Sequence, residues 1–165
     1  MDTSYYCIID DIKHLKYYYS DNVRWLDPIG DYERIRDYFS YFNVHNTSDT
    51  YFGISLDNMK YDWADNQTAI GKMCAYIVDN EILSFAAVEY DSVDCWEIRA
   101  VSSRPDHLNN GYSKCVCSFI AKYILEQGKQ AICETNISNY AMQSVTKKIG
   151  MIQYNPWEKI YGALR

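Results

Sequence analysis

In the second half of the chain, apolar positions cluster into short runs separated by turn-forming residues, and their spacing predicts the elements one by one. Residues 73–78 and 82–90 are mostly apolar and flank Asp79-Asn80, a pairing suited to the tight turn of a β-hairpin. After a polar break at 91–94, the run 96–102 predicts another strand. Pro105, Asn109 and Asn110 then interrupt strand pairing, so 104–110 is predicted as a loop. Val116, Phe119, Ile120, Tyr123 and Ile124 form one helical stripe between Ser113 and Gln127, with Gly128 where a C-terminal cap belongs. A strand at 130–135, a helix opening near Asn139 and ending at Gly150, and one or two strands within 151–164 complete the pattern. Hairpins followed by a β–loop–α–β–α–β half make an α/β layered fold.

The first third is less regular. Residues 5–9 suit a short strand, and Ile12, Leu15 and Tyr18/Tyr19 have helical spacing across 10–19. Asp31 is placed as the N-cap of a helix whose Ile35, Tyr38, Phe39 and Phe42 share one face. Residues 43–72 mix polar residues with one apolar patch at 51–56 and read as loops around a short strand.

Composition narrows the class of protein. The 165 residues are 48% hydrophobic and 23% charged, which fits a single domain with one core. No apolar run approaches the ~20 residues that span a bilayer, and Met1-Asp2-Thr3 does not begin a signal peptide, so no membrane partner and a cytoplasmic location are expected. Six cysteines form no CxxC pair and no Cys/His ligand set, which predicts reduced thiols and no metal site. The net charge of −6 argues against nucleic acid. Residues 1–72 hold 12 Asp/Glu against 7 Lys/Arg, and ten tyrosines, so a binding pocket built there suits a cation by charge and by cation–π attraction.

The candidate chemistry lies in the loop Ser103-Arg104-Pro105-Asp106-His107-Leu108-Asn109-Asn110-Gly111-Tyr112-Ser113. It leads from a strand straight into the strongest helix, so the first free amides of that helix face the loop. Such amides carry roughly +0.5 elementary charge, and a glycine lets an anion approach without Cβ interference. A phosphate group suits this geometry.

These residues resemble the acetyl-CoA-binding motif of the GNAT superfamily of acetyltransferases. In that family a strand is followed by a proline, an R/Q-x-x-G-x-G/A diphosphate loop and a helix. Here Pro105 matches the proline, Gly111 the first glycine and Ser113 the second small residue, while Asn139 and Gly150-Met151 are similar to the family's later N…G-F pattern. The resemblance covers about residues 73–155. It departs at Leu108, where the family carries Arg or Gln, and at Thr146, where its frequent general-acid tyrosine would fall.

The resemblance implies a GNAT-like acyl-CoA N-acyltransferase fold, with a mixed, mostly antiparallel central sheet flanked by helices. Residues 1–72 would form the acceptor side and 73–165 the acyl-CoA-binding half. It also implies transfer of an acetyl group from acetyl-CoA to a primary amine, on a small molecule or a protein, by direct attack. Donor contacts would come from Val101, Ser103, Leu108, Asn109, Asn110, Gly111, Tyr112, Ser113 and Asn139. Glu97 is the first candidate for the base and Glu134 the second; Tyr140 and Tyr154 are candidates for the proton donor. A homodimer is the default assembly. Two other readings stay open: a catalytically inactive acyl-CoA sensor of the same fold, and an unrelated α/β protein whose loop binds some other phosphate.

Overall fold

The structure is a computed structural model that describes residues 4–27, 29–43, 50–51, 54–55 and 70–156. Strand β1 (Ser4–Ile9) and β2 (Val23–Trp25) precede α1 (Tyr32–Asn43). A small hairpin, β3 (Thr50–Tyr51) and β4 (Ile54–Ser55), is followed by β5 (Ile70–Val78), β6 (Glu81–Glu89) and β7 (Cys95–Ser103). Then come α2 (Tyr112–Glu126), β8 (Gln130–Asn136), α3 (Tyr140–Lys148) and β9 (Ile152–Gln153).

Seven strands form one sheet in the order β2-β5-β6-β7-β8-β1-β9. Every neighbouring pair is antiparallel except β7 with β8. The β5–β6 hairpin turns on Asp79 and Asn80, both at positive φ (48° and 70°), as the two-residue turn between twisted strands requires. Helices cover both faces. Ile35, Tyr38 and Phe39 of α1 pack with Met73, Ala75, Phe85 and Ala87, whereas Val116, Cys117, Ile120 and Ile124 of α2 pack with Cys74, Ala86, Val88 and Ile98. Full burial of each larger apolar side chain contributes about 1.5–3 kcal/mol.

From Met73 to Gly150 the predicted elements form, with ends shifted by a few residues. One expectation near the N-terminus needs correction. The helix over 10–19 is only a 3-10 turn, Ile12–His14, because long-range partners take the amides that would continue it: Lys16 N–H donates to the Ile149 carbonyl (2.9 Å) and Tyr18 N–H to Ser118 Oγ (3.1 Å). Strand β2 is not apparent in the apolar pattern. Asp31 precedes α1 as predicted, but its buried carboxylate receives Arg24, Arg34 and the Asp27 amide. The Arg24 guanidinium holds it down at about 2. Of the patch at 51–56, the described part is the β3–β4 hairpin, and anything predicted at 157–164 lies outside the described residues. No helix among the described residues is long and apolar enough to cross a membrane.

Candidate active site

The site begins where the only parallel pair among the described residues comes apart. Cys95, Trp96 and Glu97 of β7 pair with Gln130, Ala131 and Ile132 of β8, and beyond Glu97 the ladder ends although both strands continue. A cleft of about 440 Å³ opens between them, lined by Glu97, Arg99, Val101, Cys133, Glu134, Asn139 and Met142 among others. On its other edge β7 is also distorted. Ala100 and Val101 together face the single Ala86, and Ala100 adopts φ +61°. Such a bulge bends and twists the strand at the mouth of the cleft.

Glu97 stands at the point of divergence. It is 8% exposed, and its Oε1 accepts the Glu134 N–H at 3.3 Å, standing in for the ladder bond that β7 no longer supplies. Burial pushes its carboxyl up to about 7, against the pull of Arg99 (3.6 Å) and that amide. A carboxylate that binds or releases a proton near neutral pH has the property a general base needs. Glu134 lines the same cleft but is exposed, and its Oε1 accepts Ser4 O–H at 2.7 Å.

The other sequence candidates are distributed less evenly. Asn139 caps α3 by accepting the Met142 N–H at 3.1 Å and lines the cleft. Tyr140, next to it, is 76% exposed and outside the lining of this cleft. Tyr154 packs edge-on against Tyr6, and burial raises its phenol above the usual tyrosine range. Thr146 is fully buried and donates to the Gln143 carbonyl at 2.9 Å, so it presents no hydroxyl to either cleft.

A second cleft, of about 630 Å³, is formed by Ser103, residues 107–114 and the α3 stripe Ala141, Ser144, Val145 and Lys148. It brings together Ser103, Leu108, Asn109, Asn110, Gly111, Tyr112 and Ser113; Val101 lies in the first cleft instead. Gly111 occupies the N-cap of α2 at φ +76° and supplies no side-chain cap. Among the described residues nothing accepts the amides of Gly111, Tyr112 or Ser113, which leaves donors and the positive helix end facing the cleft. A Cβ at position 111 would meet Lys114 Cε at 2.9 Å and fill part of this cradle. Free amides on a concave, basic lining fit a diphosphate.

A chain of hydroxyls fixes the cradle to the sheet. Ser103 Oγ lies 2.7 Å from Ser113 Oγ and donates to the fully buried Ser84 Oγ at 2.9 Å; Ser84 in turn donates to the Ser102 carbonyl. Serine at position 113 thus ties the end of β7 to the start of α2, which a glycine or alanine could not do. Sequence reasoning missed Ser84, Ser4 and the bulge at Ala100, and also the two lysines of the second cleft, Lys114 and Lys148. Only Lys114 left a readable signal, as a cation directly after the phosphate loop.

Solved structures share this architecture at low sequence identity. An acetyltransferase of the GNAT family from Novosphingobium aromaticivorans superposes with a TM-score of 0.67 at 10% identity, over 92% of this chain and 60% of its own. A GNAT-family acetyltransferase from Colwellia psychrerythraea gives 0.66 at 14% identity, over 91% of this chain and 52% of its own. The chain therefore spans only about half to three-fifths of those proteins. AAC(6')-Iy, in complex with the bisubstrate analog CoA-S-monomethyl-acetylneamine, gives 0.58 at 15% identity, over 78% and 88% of the two chains. At these identities the likeness establishes the fold alone. No curated protein matches the chain. The family described as FR47-like protein matches residues 71–161, which hold both strands of the divergent pair, the amide-lined cradle and α3. On that match and this fold, the chain belongs to the FR47-like family of the GNAT superfamily.

Proposed function

We propose that this protein is an N-acetyltransferase that moves an acetyl group from acetyl-CoA to a primary amine by direct attack, without a covalent acyl-enzyme. When bound, acetyl-CoA supplies an activated thioester carbonyl and a thiolate leaving group. The observation that carries the reading is that the two clefts share β7 and α3 as walls. Val101 and Ser103, two residues apart on β7, belong one to each cleft, as do Met142 and Ala141 on α3. A donor held by its diphosphate at Gly111, Tyr112 and Ser113 would thus lie along the end of β7, with its reactive end toward Glu97.

Glu97 removes the proton from the incoming ammonium, directly or through one water, and its carboxyl near 7 makes that transfer accessible at neutral pH. Backbone groups at 101–103, freed from β8 by the divergence, polarise the reacting carbonyl. Glu134 adds negative charge beside Glu97 and favours a cationic acceptor, a small amine or a protein amino group. We assign the reaction to the cytoplasm and a homodimer as the default assembly, on the grounds of sequence and symmetry alone.

The burial of Thr146 favours a second reading, an acyl-CoA sensor that has lost the chemistry, because no proton donor stands where the family often keeps one. Calorimetric titration with CoA and a thiol-release assay against a panel of amines separate the two. Binding with turnover supports the transferase, binding without turnover on any amine supports the sensor, and no binding removes both. Gly111→Glu, which puts a side chain and a negative charge in the cradle, is expected to abolish CoA affinity in a folded protein; undiminished affinity would reject the cradle.

A further inference from the structure

The second cleft carries two cations that pair with no carboxylate among the described residues, Lys114 and Lys148. Lys122, about two turns along α2 from Lys114, shows the contrast, since it pairs with Glu126 on its own helix. Lys114 instead sets its ammonium 4.6 Å above the Tyr18 ring, and the same atom would lie 3.4 Å from a Cβ at position 111. It therefore stands at the edge of the amide cradle with its charge exposed to a ligand.

Tyr18 is itself clamped from both sides. Its N–H donates to Ser118 Oγ of α2 at 3.1 Å, and its hydroxyl donates to the Lys148 carbonyl at the end of α3 at 3.3 Å. The ring is thus a platform fixed between the two helices that wall the cleft. Attraction to the ring holds the lysine side chain in place, and no bound carboxylate has to be displaced before an anion can take the ammonium.

Charge at this place answers a gap elsewhere. Leu108 is 56% exposed on the rim of the cleft and offers the ligand no donor beyond its backbone. We propose that Lys114, positioned by Tyr18 and joined by Lys148, supplies the counter-charge for the diphosphate of the acyl-CoA donor, the role that Leu108 does not fill. This rests on the acyl-CoA reading above.

The test is calorimetric titration of CoA, and of dephospho-CoA, which keeps the diphosphate but lacks the 3′-phosphate, into the wild type, K114M, K148M, Y18L, Y18F and K114M/Y18L. Charge-assisted hydrogen bonds predict that K114M weakens both ligands alike by about tenfold or more, and K148M by several-fold. Y18L should reproduce part of the K114M loss but add little in the K114M background, and Y18F, which keeps the ring, should bind as the wild type does. Additive losses in the double variant would overturn the positioning role of Tyr18. A K114M protein that loses CoA but keeps dephospho-CoA would overturn the diphosphate assignment in favour of the 3′-phosphate. Wild-type affinity in both lysine variants would overturn the proposal while leaving the acyl-CoA reading in place; a wild type that binds neither ligand would bring down that reading instead.

Discussion

Replacing Glu97 by Gln keeps the shape of the side chain and the oxygen that accepts the Glu134 N–H, but removes the charge that burial disfavours. With the carboxyl raised from 4.5 to about 7 in the folded state, ionisation of Glu97 costs the native protein about 3 kcal/mol relative to the unfolded chain. Below pH about 4.5 the carboxyl is neutral in both states and the penalty is absent. As the pH rises through 7 the unfolded chain releases its proton first, so the wild type loses stability relative to E97Q, and above 7 the gap levels off. Urea unfolding of both proteins from pH 4 to 9 measures this directly, because every other titrating group is common to the pair. E97Q should match the wild type at pH 4 and exceed it by an amount approaching 3 kcal/mol at pH 8–9, within the twofold scatter of such figures. A gap independent of pH, or one that favours the wild type at high pH, would refute the argument. Under the proposed mechanism the same variant should lose about 10²–10⁴-fold in kcat/KM, together with the rise through pH 7 that deprotonation of the wild-type base produces.

Three further variants probe the frame of the site. Gly150→Ala should destabilise the protein by at least about 2 kcal/mol in thermal or urea unfolding, because the residue sits at φ +99° and a Cβ would lie 2.1 Å from the His14 carbonyl oxygen. Asp31→Asn should cost about 2 kcal/mol at neutral pH and progressively less in acid: the depressed carboxyl stabilises the fold above about pH 4 and loses that contribution as the pH falls toward 2, so denaturation curves of the two proteins should converge there. Ser84→Ala removes the buried end of the hydroxyl chain and should cost about 1–3 kcal/mol, read in the same unfolding assay.

The half of the fold that holds the cradle was legible because its signals are local. Asp79-Asn80 between two apolar runs, the stripe from Val116 to Ile124 ending at Gly128, and Asn139 as a cap each depend on residues close in sequence. The loop at 103–113 was readable for the same reason, since a glycine before an uncapped helix is a local arrangement. What could not be read depends on distant partners. The 10–19 segment has helical spacing, but Ile149 and Ser118, a hundred or more residues away, take its amides. Tyr18 comes to lie under Lys114 by the same packing. Glu97 could be named as a carboxylate on a strand, yet the elevation of its carboxyl arises from its burial where β7 and β8 part, and the Ser4 contact to Glu134 arises because β1 pairs with β8.

The account depends most on amides at the start of α2 that are free to grip a diphosphate. Amide spectra of ¹⁵N-labelled protein titrated with CoA test this directly: the Gly111, Tyr112 and Ser113 resonances should shift first and furthest, with those of the β1–β9 edge unmoved. Shifts confined to other regions, or none at CoA concentrations that saturate a calorimetric signal, would contradict it.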